Sequence, residues 1–103
     1  MGKEDEMKIH QILPGMENIT ITGRVISKSE KREVETRYGY TTFANVVLGD
    51  ETGKINLILW RGQIDHVKVG DIIKVESGFT RNFPNQTELN VGSRGKITIL
   101  QRD

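Results

Sequence analysis

The side chains that could carry covalent chemistry in this chain are few and scattered. There is no cysteine, which removes disulfides, thiolate metal sites and a thiol nucleophile together. The two histidines, His10 and His66, have no neighbour in sequence that would make either one a general base or a metal ligand. The acidic pair Asp50-Glu51 lies between Gly49 and Gly53, where carboxylates serve the hydrogen bonds of a tight turn. Neither a phosphate-cradling glycine loop followed by Lys-Ser/Thr nor a Gly-x-Ser-x-Gly elbow occurs. This inventory supports neither hydrolysis nor group transfer, so a non-enzyme without cofactor or metal is expected.

A different chemistry is better supplied. The aromatic residues are Tyr38, Tyr40, Phe43, Trp60, Phe79 and Phe83, and several stand where a core does not call for them. Trp60 closes an alternating segment on the parity opposite Ile55, Leu57 and Leu59, so it faces outward. Phe83 lies in a polar loop between Asn82 and Pro84, and Phe79 flanks that loop. Exposed flat rings are surfaces on which unstacked bases settle, at roughly 1–3 kcal/mol per base and with little regard to sequence. Arg61 and Arg81 adjoin these rings and could meet phosphates or stack on bases. For Phe79 the alternation points the other way, because it shares parity with Ile73 and Val75; a bulge at Gly78 would re-aim it.

The elements that would hold these residues are short strands. Ile19 to Ile26 alternates, with Gly23 marking a bulge or a close backbone approach. Residues 27–41 form a long connection or a hairpin tip, and a second strand follows from Thr42 to Leu48. Gly49 to Gly53 is a tight turn, and Lys54 to Trp60 the third strand. Ile64 and Val67 allow a helical turn or two over residues 61–67. Val69-Gly70-Asp71 turns the chain into a fourth strand, Ile72 to about Phe79. Thr87 to Val91 is a fifth strand, Gly92 to Gly95 a break, and Lys96 to Leu100 a last segment. Ile9, Ile12 and Leu13 before Pro14-Gly15 read as an apolar latch, and residues 1–8 as a flexible arm. The expected fold is all-β: a five-stranded OB-fold barrel with a short helix between strands 3 and 4, occupying residues 9–103 as a single domain.

At 103 residues, with 35% hydrophobic and 28% charged residues, the chain has the make-up of one small globular domain. Its formal net charge of +1 singles out no polyanion partner. Local clustering does more. Residues 23–37 hold Arg24, Lys28, Lys31, Arg32 and Arg37 against Glu30, Glu33 and Glu35. Residues 79–102 hold Arg81, Arg94, Lys96 and Arg102 against Glu88. These windows cover the two loops that flank the groove of such a barrel. The start of the chain has no apolar stretch of signal-peptide type, and no run is long enough to span a bilayer.

Five ordered pieces of the chain carry a resemblance. They are Leu13 to Met16, Gly49 to Lys54 running on to Leu59-Trp60, Val69 to Asp71, Gly78 to Phe83, and Leu89 to Ser93. Together they resemble archaeal single-stranded DNA-binding proteins, both the simple one-domain crenarchaeal type and single OB domains of archaeal replication protein A, over about residues 10–100. The resemblance implies sequence-tolerant binding of single strands by base stacking, in replication and repair. The family's tryptophan at the end of strand three falls on Trp60, and its two aromatics around the fourth loop fall on Phe79 and Phe83. The first of those is often tryptophan in the family. The family's contacts along the first loop fall on Arg32, Val34, Thr36 and Arg37, with Glu33 and Glu35 as acidic departures.

The chain stops after its last strand, without the tail of the one-domain proteins, which fits a domain excised from a larger replication protein A. The expected partners are single-stranded DNA, or RNA as the alternative, and other OB domains or replication and repair proteins; a membrane is not among them. The expected location is the cytoplasm, on the nucleoid. A protein-interaction OB domain is the remaining alternative, and the retained Trp60, Phe79 and Phe83 argue against it.

Overall fold

The computed structural model describes residues 6–81 and 87–102. Alternation of buried and open residues lays down the strands. In β1 (Ile19–Lys28) the side chains of Ile19, Ile21 and Val25 are buried, whereas Arg24 and Ile26 are exposed. The same period buries Ala44, Val46 and Leu48 of β3 (Gly39–Asp50) and Ile55, Leu57 and Leu59 of β4 (Gly53–Trp60). Burying one face of each of these strands against the others requires the sheet to curl on itself.

It closes. The sheet runs β1, β5 (Ile72–Thr80), β6 (Glu88–Gln101), β4, β3, and β3 pairs back onto β1. The β4–β6 pairing is parallel and the rest of the ring is antiparallel. Where β1 crosses β3 the backbones come so close that a Cβ on Gly23 would lie 2.8 Å from the Gly49 carbonyl oxygen, which only glycine allows.

The short helix α1 (Gly62–His66) joins β4 to β5, the third and fourth strands of the ring, as the sequence predicts. Its Ile64 and the following Val67 are buried under the ring. The Lys28 ammonium donates to the carbonyls of Ile64 and Val67 and so satisfies the helix end.

Two strand assignments change. Residues 27–41, read as a connection or hairpin tip, contain a sixth strand, β2 (Arg32–Thr36), paired with the start of β3 outside the ring. Strand β6 runs on through residues 92–95, where a break was expected, but its pairing with β5 is interrupted there. Between the pair Glu76 with Lys96 and the pair Gly78 with Val91, the four residues 92–95 of β6 stand opposite the single Ser77 of β5. Of the residues read as a flexible arm, 1–5 lie outside the described residues; Glu6 bridges to Thr20, and the Met7 N–H donates to the Thr20 carbonyl at 2.7 Å. In the apolar latch Ile9 and Ile12 are buried, but Leu13 is 61% exposed.

Asp50 ties that latch to the β3–β4 turn. Its carboxylate accepts the Ile9 N–H at 2.9 Å, the Thr52 N–H at 2.7 Å, the Thr52 hydroxyl at 2.6 Å and the Gly53 N–H at 3.2 Å. Burial alone would push this carboxyl up, but the Thr52 hydroxyl and the three N–H donors outweigh it and hold it below the ordinary aspartate value. A folded-state value below the unfolded one contributes stability above the ordinary aspartate range, and that stability is lost as pH falls toward the folded value. Asp50→Ala should therefore lower stability by about 2 kcal/mol at neutral pH. In urea melts the gap from the parent should narrow below about pH 4. A gap of constant size across that range would rule the carboxylate out as its source.

Candidate nucleic-acid interface

The tight turn between β3 and β4 sets what faces what on the outer surface. Counting back from Asp50 paired with Gly53, Asn45 lies opposite Ile58 and Phe43 opposite Trp60. Opposed residues of an antiparallel pair share a face, and this face is the one turned away from Ala44, Leu57 and Leu59. The Phe43 and Trp60 rings stand 5.6 Å apart between centroids, inclined at 39°, a tilted contact of the kind aromatic pairs favour. They wall a cleft of about 320 Å³ whose lining also includes Val34, Asn45, Ile58 and Asn90. Arg81 and Glu88 stand at its side. Trp60 does face outward, as parity requires, yet it is half-buried against Phe43 and is no freely projecting ring.

Phe79 reaches the same surface by an irregularity. Along β5 the buried positions are Ile73 and Val75, then Gly78 and Thr80. The phase changes at Ser77, an exposed residue with φ 57, where the register with β6 slips. Beyond that bulge Phe79 shares its face with the outer residues and is half-buried. It pairs with Asn90, Asn90 with Ile58, and Ile58 with Asn45, so one row across three neighbouring ladders reads Phe79, Asn90, Ile58, Asn45. A second cleft of about 590 Å³ adjoins the first and runs from Trp60 and Arg61 past Arg81 to Phe79.

On the β2–β3 hairpin, Arg32 pairs with Phe43 and Val34 with Thr41. Arg32, Val34 and Thr36 therefore continue the cleft face, while Glu33 and Glu35 alternate to the other side. The acidic departures are thus turned away from the rings. Thr36 is committed locally, its hydroxyl donating to the Gly39 carbonyl at 2.8 Å and accepting the Tyr38 N–H at 3.2 Å. Arg37 sits in the exposed turn after it.

Arg61 adopts φ 53 after Trp60, and its Nε–H donates to the Thr41 hydroxyl at 2.8 Å, which holds it beside the second cleft. Arg94 is not gathered with Trp60. It lines a separate cleft of about 390 Å³ on the far side of Phe79, with Asn18 and Ser77. Phe83 lies outside the described residues.

Other cations of the two basic windows are engaged in structure. Lys28 completes α1. Lys31 pairs with Asp65 at 3.1 Å. Arg102 pairs with the buried Asp71 at 3.2 Å and donates to the His66 carbonyl.

Sequence reasoning missed four residues of the cleft: Phe43, Asn45, Ile58 and Asn90. For the first three the signal was present. The turn from Gly49 to Gly53 fixes the hairpin register, and that register puts Phe43 against the tryptophan. Asn90 comes from the parallel β4–β6 pairing, which no local pattern announces.

A family model described as an OB-fold nucleic acid binding domain matches residues 19–100. The chain is 37% identical over 98 residues to the single-stranded DNA binding protein Ssb of Saccharolobus solfataricus, an alignment spanning 95% of this chain and 66% of that protein. It is 33% identical to replication factor A of Methanothermobacter thermautotrophicus, over 88% of this chain and 12% of that protein. Among solved structures, the second OB-fold domain of replication protein A from Methanococcus maripaludis matches with a TM-score of 0.76 at 29% identity, covering 95% of this chain and 97% of that one. The chain therefore spans just under two thirds of the first of these relatives and a small part of the second.

Proposed function

The chain belongs to the OB-fold nucleic acid binding domain family, and from that premise we propose that it binds single-stranded DNA in replication and repair without acting on it chemically. The observation that carries the reading is the Phe43–Trp60 ring pair standing in an open cleft on the outer face of β3 and β4. In a duplex the base faces are already stacked and shielded, so these rings favour strands whose bases are unpaired. Phe79 extends the stacking surface along the adjoining cleft, and the family pattern assigns a further platform to Phe83, which lies outside the described residues. Arg61 and Arg81 lie beside the rings, Arg32, Val34, Thr36 and Arg37 continue along the hairpin, and Arg94 lies beyond Phe79. Stacking and backbone contact make the binding sequence-tolerant.

The absence of chemistry is part of the proposal. Asp50, the most constrained carboxylate of the turn, already accepts four hydrogen bonds from the protein. Among the described residues no helix is long and apolar enough to cross a membrane. Residues 9–103 act as a single binding unit, placed by the proposal on the nucleoid in the cytoplasm alongside other OB domains or replication proteins.

The test is a titration of intrinsic fluorescence, because Trp60 is the only tryptophan and stands in the cleft. Oligo-dT should quench it and an equal mass of duplex should not. The salt dependence should be shallow, since few arginines remain beside the clefts. With about three to five phosphates neutralised, the log–log slope should be about −2 to −3.5. No quenching and no gel shift at low salt would overturn the single-strand reading, and a slope steeper than about −5 would transfer the weight from stacking to charge.

A further inference from the structure

We propose that Asn45 is a base-edge contact: the carboxamide in the wall of the cleft forms hydrogen bonds to a base stacked on the Phe43–Trp60 pair. This deepens the single-strand reading and rests on it. Three observations lead there. First, Asn45 is one position from Ala44 and two from Phe43 on β3, on the outward parity, and lies opposite Ile58. Second, its main chain is fully used, with its N–H donating to the Ser29 hydroxyl at 2.9 Å and its carbonyl accepting the Ser29 N–H at 2.8 Å. The strand is thus pinned at this point and the side chain is held at a fixed height beside the rings. Third, the Asn45 Oδ1 is buried and accepts no hydrogen bond among the described residues.

The third observation carries the inference. A buried carbonyl oxygen without a donor is unfavourable to the folded protein, and nearly all such atoms in native structures have a partner. An aliphatic residue of similar shape would fill the position without that cost, and the neighbours Ile58 and Val34 are already apolar. An amide here is explained by a group that arrives with the ligand. A base lying flat on a ring presents its edge sideways, and the wall beside these rings is the row containing Asn45 and Asn90. A carboxamide suits a sequence-tolerant protein, because one donor and one acceptor side by side find a complementary pair on the edge of any of the four bases. The contact therefore distinguishes a base from a mere flat ring, and strengthens stacking without demanding a sequence.

The test removes the hydrogen bonds and keeps the ring. A short oligonucleotide of thymidines is compared with one in which each thymine is replaced by difluorotoluene, which has nearly the same shape and stacks but scarcely hydrogen-bonds. The parent protein should bind the analogue about three- to tenfold more weakly, the range of one or two neutral hydrogen bonds. In Asn45→Leu that ratio should fall to about one, and the urea midpoint should stay level or rise because the orphaned acceptor has gone. Asn56→Leu, on β4 beside a different cleft with Val47 and Thr87, should keep the parental ratio. Equal affinity of the parent for both strands, or an unchanged ratio in Asn45→Leu, overturns the proposal while single-strand binding stands. Failure of the parent to bind either strand overturns the single-strand reading and this proposal together.

Discussion

Trp60→Ala should weaken binding of oligo-dT by roughly 1–3 kcal/mol, a loss of about 5- to 150-fold in affinity. The ring ends β4, stands 5.6 Å from Phe43 and lines both adjoining clefts. Its removal deprives one base of its platform and leaves Phe43 without the neighbour that orients it. Because Trp60 is half-buried, the change should also lower stability, by about 1 kcal/mol for the lost ring contact. The ordering of the two losses is the prediction: affinity first, folding second. Since the variant has no tryptophan, binding is followed by the anisotropy of a labelled strand, and folding by circular dichroism in urea. An unchanged affinity would mean that the ring serves only to close the end of the sheet.

Leu57→Ala, three residues earlier on the same strand, should do the reverse. Leu57 is fully buried and pairs with Val46 on one side and Leu89 on the other. Truncating it leaves a cavity bounded by strands that cannot collapse, because the ring holds them apart at hydrogen-bonding distance. The expected cost is roughly 2–5 kcal/mol of stability, which in a domain this small is a large part of the total. The fraction that remains folded should bind with nearly parental affinity, since nothing on the outer face has moved. Urea melts monitored by Trp60 fluorescence, with titrations at a temperature where both proteins are folded, separate the quantities. A drop in affinity beyond about fivefold would show that the core shape is transmitted to the cleft.

The opposition of these two residues was legible from alternation alone, and so were most of the strands. Ile55, Leu57 and Leu59 are buried where period two puts them, and the turn at Gly49 to Gly53 is where its glycines put it. Phe43 was also within reach, but only by combining the turn with the alternation of the strand before it. Other features could not be obtained from local pattern. The parallel β4–β6 pairing joins segments some thirty residues apart and brings in Asn90. Strand β2 has charged residues on both sides and is held by its pairing with β3 alone, so it carries no apolar signature. Charge counting could not foresee which cations are consumed, because Lys28 is drawn to the carbonyls closing α1 and Arg102 to the buried Asp71. Phe79 sat between two readings, and its orientation turned on one extra residue, Ser77, in the alternation of β5.

That extra residue makes β5 a strand with two frames. Before Ser77 the odd positions are interior, and after it the even ones are. Each half of the strand therefore keeps its own alternation, and a single phase-setting residue joins them. Removing Ser77 would restore one frame throughout and leave Phe79 outward, with Gly78 and Thr80 still inside. Straightening the strand with Ser77 kept would do the opposite: Ser77 and Phe79 would fall on the interior parity, and Gly78 and Thr80 would come to the surface in their place. A change that flattens the bulge while touching no aromatic and no arginine can thus erase a platform and overfill the interior in the same stroke. Conversely, exchanges at Ile73 or Val75 act on the interior without changing the phase of the segment that presents the ring, so the two halves can drift independently as long as the bulge between them is kept.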